Sequence, residues 1–176
     1  MTSLDKTDLK ILDLLQNDAS RSTNEIADAV GLSASPCWRR IALLEEQGVV
    51  RRRVALLDRD KLGLGVTVVV QVRLTTHGRQ SLAAFEERVR ELPEVTQCFT
   101  VMGAIDFVLI VVTTDIRAYE RFMREALSQL PGVQAIESNI VMSAIKDTTT
   151  LPLELVEPRA EREDTPRRAR AASAKP

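Results

Sequence analysis

Five arginines, Arg39, Arg40, Arg51, Arg52 and Arg53, fall within fifteen residues and are opposed in that window only by Glu45 and Glu46. Guanidinium groups at this density can hold phosphates, because each offers a fixed fork of donors that stays charged at physiological pH. A solvated surface carries such runs too, so the spacing has to be read with the elements around it. A second candidate is Asp106, three residues after Gly103 in a short stretch between two apolar runs. Backbone amides and one carboxylate in a tight turn can converge on a zwitterion, the amides on its carboxylate and Asp106 on its ammonium. Asp106 can equally shape the turn through its own side-chain hydrogen bonds, and both readings stand open at this point.

Catalytic constellations are not in view. His77 is the only histidine and lies beside Gly78 in an expected loop, where a solvated residue is the better reading. Cys37 and Cys98 stand far apart without a CxxC, which argues against a disulfide scaffold and a zinc site. No catalytic group, metal or cofactor is expected. The balance of 24 Lys and Arg against 25 Asp and Glu gives a net charge of −1 and no global attraction to nucleic acid, leaving only the local stripe. With 176 residues, 44% of them apolar and 28% charged, the chain has room for two small globular domains. The longest apolar run, Phe107 to Val112, is far below the about 18 residues of a membrane span. Asp5, Lys6 and Asp8 precede any apolar stretch, so a signal-peptide core is missing and a cytoplasmic location is expected, with no membrane partner.

The elements that must position the arginines begin with Leu9, Ile11, Leu12, Leu14 and Leu15, which spread an apolar stripe along one helix. Asp5 and Asp8 suit its positive N-terminal end. Ser22-Thr23-Asn24-Glu25 is a capping box opening a second helix, which Gly31 ends in the left-handed conformation. A third helix follows with Ser33 or Ser35 as cap and Pro36 in its first turn. At about 100° per residue, Ala34, Cys37, Trp38, Ile41 and Leu44 share one side, with Trp38 at its edge. Arg39 points the opposite way beside Ser35 and Pro36, and Arg40 leaves from the side.

Helix, tight turn, helix is the plan of a DNA-reading helix-turn-helix, although a three-helix bundle that binds protein shares it. Docked by its apolar stripe, the third helix would present Ser35 and Arg39 to a major groove. There Arg39 can donate two bonds to guanine O6 and N7, and Arg40 can equally bind phosphate. Val49 to Leu57 reads as a β-like wing whose arginines lie along the DNA backbone. The expected DNA-facing set is Ser33, Ser35, Pro36, Arg39, Arg40, Arg51, Arg52 and Arg53, within a domain of residues 1–60 that closes on a hinge of Asp58, Asp60, Lys61, Gly63 and Gly65.

Residues 61–153 alternate strands with helices. Val66, Val68, Val70, Val72 and Leu74 have strand period; Leu82, Phe85, Val89 and Leu92 have helical spacing. Val95 to Met102 and Phe107 to Thr113 read as a hairpin, Tyr119 to Leu130 as a helix, and Val133 to Lys146 as a last strand. The order βαββαβ is that of the ferredoxin-like split βαβ sandwich, so the fold class is α+β. Helices would cover one sheet face, leaving the other face or an edge for a second copy. Residues 154–176 lose their apolar periodicity and are expected to form a disordered basic tail.

The run Gly31-Leu32-Ser33-x-Ser35-Pro36-Cys37-Trp38-Arg39-Arg40-Ile41, followed by Leu44-Glu45-x-x-Gly48-Val49-Val50, resembles the Lrp/AsnC family of transcriptional regulators. Lys61-Leu62-Gly63, Leu92-Pro93-Glu94-Val95, Gly103-x-x-Asp106-Phe107, Leu130-Pro131-Gly132-Val133 and Thr149-Thr150-Leu151-Pro152-Leu153 resemble its ACT-like amino-acid-metabolism regulation domain. The likeness runs from about residue 4 to 153. It implies a DNA-binding homodimer, often assembled into octamers, that occupies a palindromic operator on double-stranded DNA. Its binding or assembly would respond to a small effector, usually an amino acid. The effector site implied lies near Met102, Gly103, Ala104 and Asp106. Two departures stand out: Arg53 replaces a frequent aromatic residue, and Met102-Gly103-Ala104-Ile105 replaces a more polar turn. A sirohaem-decarboxylase-like enzyme of the same plan, which depends on histidines, and an effector-independent architectural DNA-binding protein are the competing readings.

Overall fold

The structure is a computed structural model and describes residues 4–75 and 78–158. His77 and the tail from residue 159 therefore lie outside the described residues. Two compact units emerge. One holds the described residues up to Ala55 together with those from Thr148 onward; the other is Leu56–Asp147.

In the first unit, α1 (Lys6–Asn17), α2 (Thr23–Val30) and α3 (Ala34–Glu46) follow in close succession. Asp5 and Asp8 do more than face a helix dipole: they form a reciprocal capping box, the Asp8 amide donating to Asp5 at 2.8 Å and the Asp5 amide donating back to Asp8 at 3.1 Å. Ser22 and Glu25 repeat the device at the start of α2. Gly31, at φ 72°, lets the chain reverse, and the amides of Gly31 and Leu32 bond back to Asp28 and Ala27. Ser33 is the N-cap of α3 in backbone conformation, yet its hydroxyl caps no amide. The apolar stripes meet in a core of Ile11, Leu12, Leu15, Ile26, Ala27, Cys37, Ile41 and Leu44. Each large aliphatic side chain buried there contributes about 1.5–3 kcal/mol.

One expectation about this unit needs correction. The basic run from Arg51 to Leu57 is irregular and carries no strand. A β-run needs a ladder partner, and among the described residues the only sheet is the four-stranded one of the second unit. Residues 148–158 group with the helices of this unit. The Gln16 amide group donates to the Leu151 carbonyl at 3.1 Å and accepts from the Leu151 amide at 2.9 Å, and Leu153 packs against the helical core.

The second unit is β1 (Val66–Leu74), α4 (Gly78–Arg90), β2 (Val95–Thr100), β3 (Phe107–Thr113), α5 (Ile116–Glu125) and β4 (Val133–Ile140), with antiparallel strands in the order β2-β3-β1-β4. This is the split βαβ arrangement. Alternation along β1 and β3 sends Val68, Val70, Val72, Phe107, Leu109 and Val111 to one face, where Phe85, Val89, Tyr119 and Phe122 of the helices cover them. Phe85 stacks on Phe107 with ring centroids 4.4 Å apart. The last strand is shorter than Val133 to Lys146. The amide of Val141 bonds to Thr67 near the first residue of β1, and beyond it no further ladder pairing is made among the described residues.

Candidate functional site

Arg39 and Ser35 are exposed on the side of α3 opposite Cys37, Ile41 and Leu44, all buried. The Arg39 guanidinium leans back along the helix, Nη2 reaching the Ser35 hydroxyl at 3.3 Å and Nε the Ser35 carbonyl at 3.5 Å. These are weak, long contacts that a better acceptor can displace. Ser33 is exposed and Pro36 half-buried at the same end. Ala34 and Trp38, expected on the docked side, are exposed instead, because the packed stripe is narrower than the apolar sequence.

Arg40 has a different fate from the phosphate contact expected of it. Its Nη1 lies 2.7 Å from Asp5 Oδ2 and 2.7 Å from Asp8 Oδ1, the two carboxylate oxygens that the α1 capping box leaves over. The ion pair ties the start of α1 to α3, with the acids the more enclosed partners. Burial opposes ionisation of Asp5. The Asp8 amide and the Arg40 guanidinium outweigh it and hold the carboxyl below its ordinary range. Arg40 is thus a positioning residue for the helix that carries Arg39. Its signal in the sequence was the acid pair spaced three apart at a helix start.

Arg51, Arg52 and Arg53 are all exposed. Arg53 donates to Glu45 of α3 at 2.8 Å. Arg39, Arg51 and Arg52 have no carboxylate within salt-bridge reach among the described residues, so their charge is available to an incoming anion.

The turn after β2 is built around Asp106. Its amide donates to Val72 at 3.0 Å, its carbonyl accepts from Val101 at 2.9 Å, and its Oδ2 accepts from the Leu74 amide at 2.8 Å. Of the two readings of Asp106, shaping the turn is the one its protein contacts display, while Oδ1 accepts no bond among the described residues. Gly103 stands at φ 143° with open space where a Cβ would be, so backbone conformation rather than crowding calls for glycine. Met102, Gly103 and Ala104 are exposed around it. Arg73 is a residue the strand pattern concealed, since it occupied only an alternate position in β1. Its Nε donates to the Ala104 carbonyl at 2.9 Å, and it has no acidic partner among the described residues. A guanidinium whose Nη groups make no hydrogen bond among the described residues therefore stands against the turn that holds Asp106.

A helix-turn-helix that exposes an arginine on its last helix, joined to a split βαβ unit with an exposed turn held by Asp106, defines a DNA-binding regulator with a separate ligand domain. Residues 4–51 match the winged helix-turn-helix DNA-binding family and residues 67–151 the Lrp/AsnC ligand binding domain. A glutamate uptake regulatory protein of Zymomonas mobilis is 44% identical over 161 residues, covering 90% of this chain and 96% of the relative. The crystal structure of an AsnC family regulator from Agrobacterium tumefaciens superposes with a TM-score of 0.84 at 42% identity, covering 88% of this chain and 100% of that one. A transcriptional regulator from Neisseria meningitidis, crystallised as its L-Met complex, gives 0.83 at 38% identity, with 86% and 98% covered. The chain belongs to the Lrp/AsnC family and is a DNA-binding transcriptional regulator of that type. Among the described residues no helix is long and apolar enough to cross a membrane.

Proposed function

We propose that this regulator acts in the cytoplasm as a homo-oligomer, reads a palindromic operator through paired copies of α3, and changes its DNA binding or assembly when an amino acid occupies the turn at Gly103 to Asp106. It is a binding protein rather than a catalyst. The observation that carries the reading is the exposure of Arg39 and Ser35 on a helix whose opposite side is buried, which leaves a base-reading edge free. Arg51 and Arg52 add backbone contacts that strengthen binding without choosing sequence.

At the turn, the Arg73 Nη groups would take the effector's carboxylate and Asp106 Oδ1 its ammonium, with exposed Met102 and Ala104 beside the side chain. The L-Met complex of the Neisseria relative supports an amino acid as the class of effector. The test is a titration of duplexes enriched from a randomised library, compared with random duplex. Arg39→Ala is expected to weaken binding to the enriched duplex by about 1–3 kcal/mol with little change on random DNA. Changing Arg51 and Arg52 to Ala is expected to weaken both and flatten the salt dependence. Equal losses on both duplexes for Arg39→Ala would overturn the base-reading role. A thermal-shift screen of the twenty amino acids against wild type and Arg73→Ala tests the effector site; a ligand that stabilises both equally would remove Arg73 from it.

A further inference from the structure

Trp38, the single tryptophan of the chain, is 61% exposed on α3, immediately before Arg39. Solvent-facing indole in the first half of this helix calls for an explanation, because covering a large side chain is worth far more than leaving it in water. Ala34 and Ala42, four residues to either side, are too small to shield it, and Arg40 leaves on the far flank toward Asp5 and Asp8. The indole N–H has no hydrogen-bond partner among the described residues. Trp38 thus stands about 100° around the helix from Arg39, on the same two turns that carry Ser35.

Resting on the reading of α3 as the recognition helix, we infer that Trp38 is a further specificity-determining residue: its indole contacts the C5-methyl of a thymine adjacent to the base pair that Arg39 reads. The thymine methyl is the one apolar group that base edges offer in the major groove, and a guanidinium and an indole side by side ask for different edges. Arg39 takes two acceptors of a guanine, and Trp38 takes a methyl. Phosphates offer the indole face nothing comparable, and the arginines of the basic run already serve them.

The experiment uses the full-length protein and a duplex enriched by wild type from a randomised library. Each thymine is replaced in turn by deoxyuridine, which removes only the C5-methyl and leaves pairing intact. Wild type is expected to lose about three- to five-fold in affinity at one thymine per half-site, the value of one buried methyl. Trp38→Ala is expected to bind the thymine and uracil duplexes alike at that position, and Trp38→Phe to keep part of the preference. Circular dichroism of Trp38→Ala matching wild type shows that the fold survives. The proposal is overturned if no thymine is sensitive in wild type, or if Trp38→Ala keeps the same thymine preference at every position. It also falls if Trp38 emission shifts with protein concentration alone and not with DNA, which would make the residue a contact between copies. A library that yields no shared sequence removes the base-reading role of α3 together with this one, whereas an enriched sequence without a uracil effect removes only the role of Trp38.

Discussion

A rotation of about 100° around α3 separates Arg39 from Arg40. Arg39 faces solvent beside Ser35, while Arg40 meets both spare oxygens of the α1 capping box. Replacing Arg40 by Met leaves Asp5 and Asp8 close together without their shared cation, and is expected to lower stability by about 1–3 kcal/mol at pH 7, read from the urea midpoint. The Asp5 carboxyl is held below its ordinary value of 3.8 despite burial, by the Asp8 amide and Arg40. A depressed carboxylate contributes stability that is fully present above the unfolded value and is lost as pH falls through the folded one. The gap between wild type and Arg40→Met should therefore close as pH drops below about 4. Equal urea midpoints at pH 7 would show that the network holds nothing together. Arginine density pointed to an anion-binding face, but which guanidinium stays free depends on a carboxylate pair more than thirty residues earlier in the chain.

At the level of elements, each helix of the first unit carried its own boundary signals: the Ser22 and Glu25 box, the Gly31 reversal, the apolar spacing of α1 and α3. Those signals are local, so one chain displays them. The return of the C-terminal segment is not local. Gln16 holds Leu151 by two hydrogen bonds, and Leu153 is half-buried against the helices. Leu153→Ala is expected to lower the stability of the helical unit by about 1–2 kcal/mol, below the value for a fully enclosed leucine. Trp38 emission during urea denaturation reports this unit; an unchanged midpoint would mean that the segment merely rests there. The Val49 to Leu57 run has the composition of a strand, yet hydrogen bonding decides strands, and no partner for this run exists among the described residues.

For the whole molecule, the helices of the second unit cover one face of its sheet. The other face bears Val69 opposite Ile110 with Val108 alongside, half-buried residues that the helices do not reach. Apolar side chains in the centre of a sheet face are stabilised by a second layer, and the homo-oligomer proposed above would supply one from a second copy by two-fold symmetry. Ile110→Lys is expected to shift the assembly toward monomer in sedimentation velocity and to weaken binding to a two-half-site duplex more than to a single half-site. A dimer that withstands the change would place the interface elsewhere.

The sequence by itself determined the order of the helices and of the four sheet strands, the two apolar cores, the starts of the first three helices, and the residues that can bind an anion, because periodicity, capping and side-chain chemistry act over a few neighbouring positions. Only the tertiary structure decided that Arg40 locks helices while Arg39 stays free, that Trp38 stands in solvent, that Arg73 meets the Asp106 turn, and that residues 148–158 return to the helices. Each of these depends on which distant groups share a few ångströms of space, and hydrogen bonds, ion pairs and burial are set by that distance rather than by position along the chain.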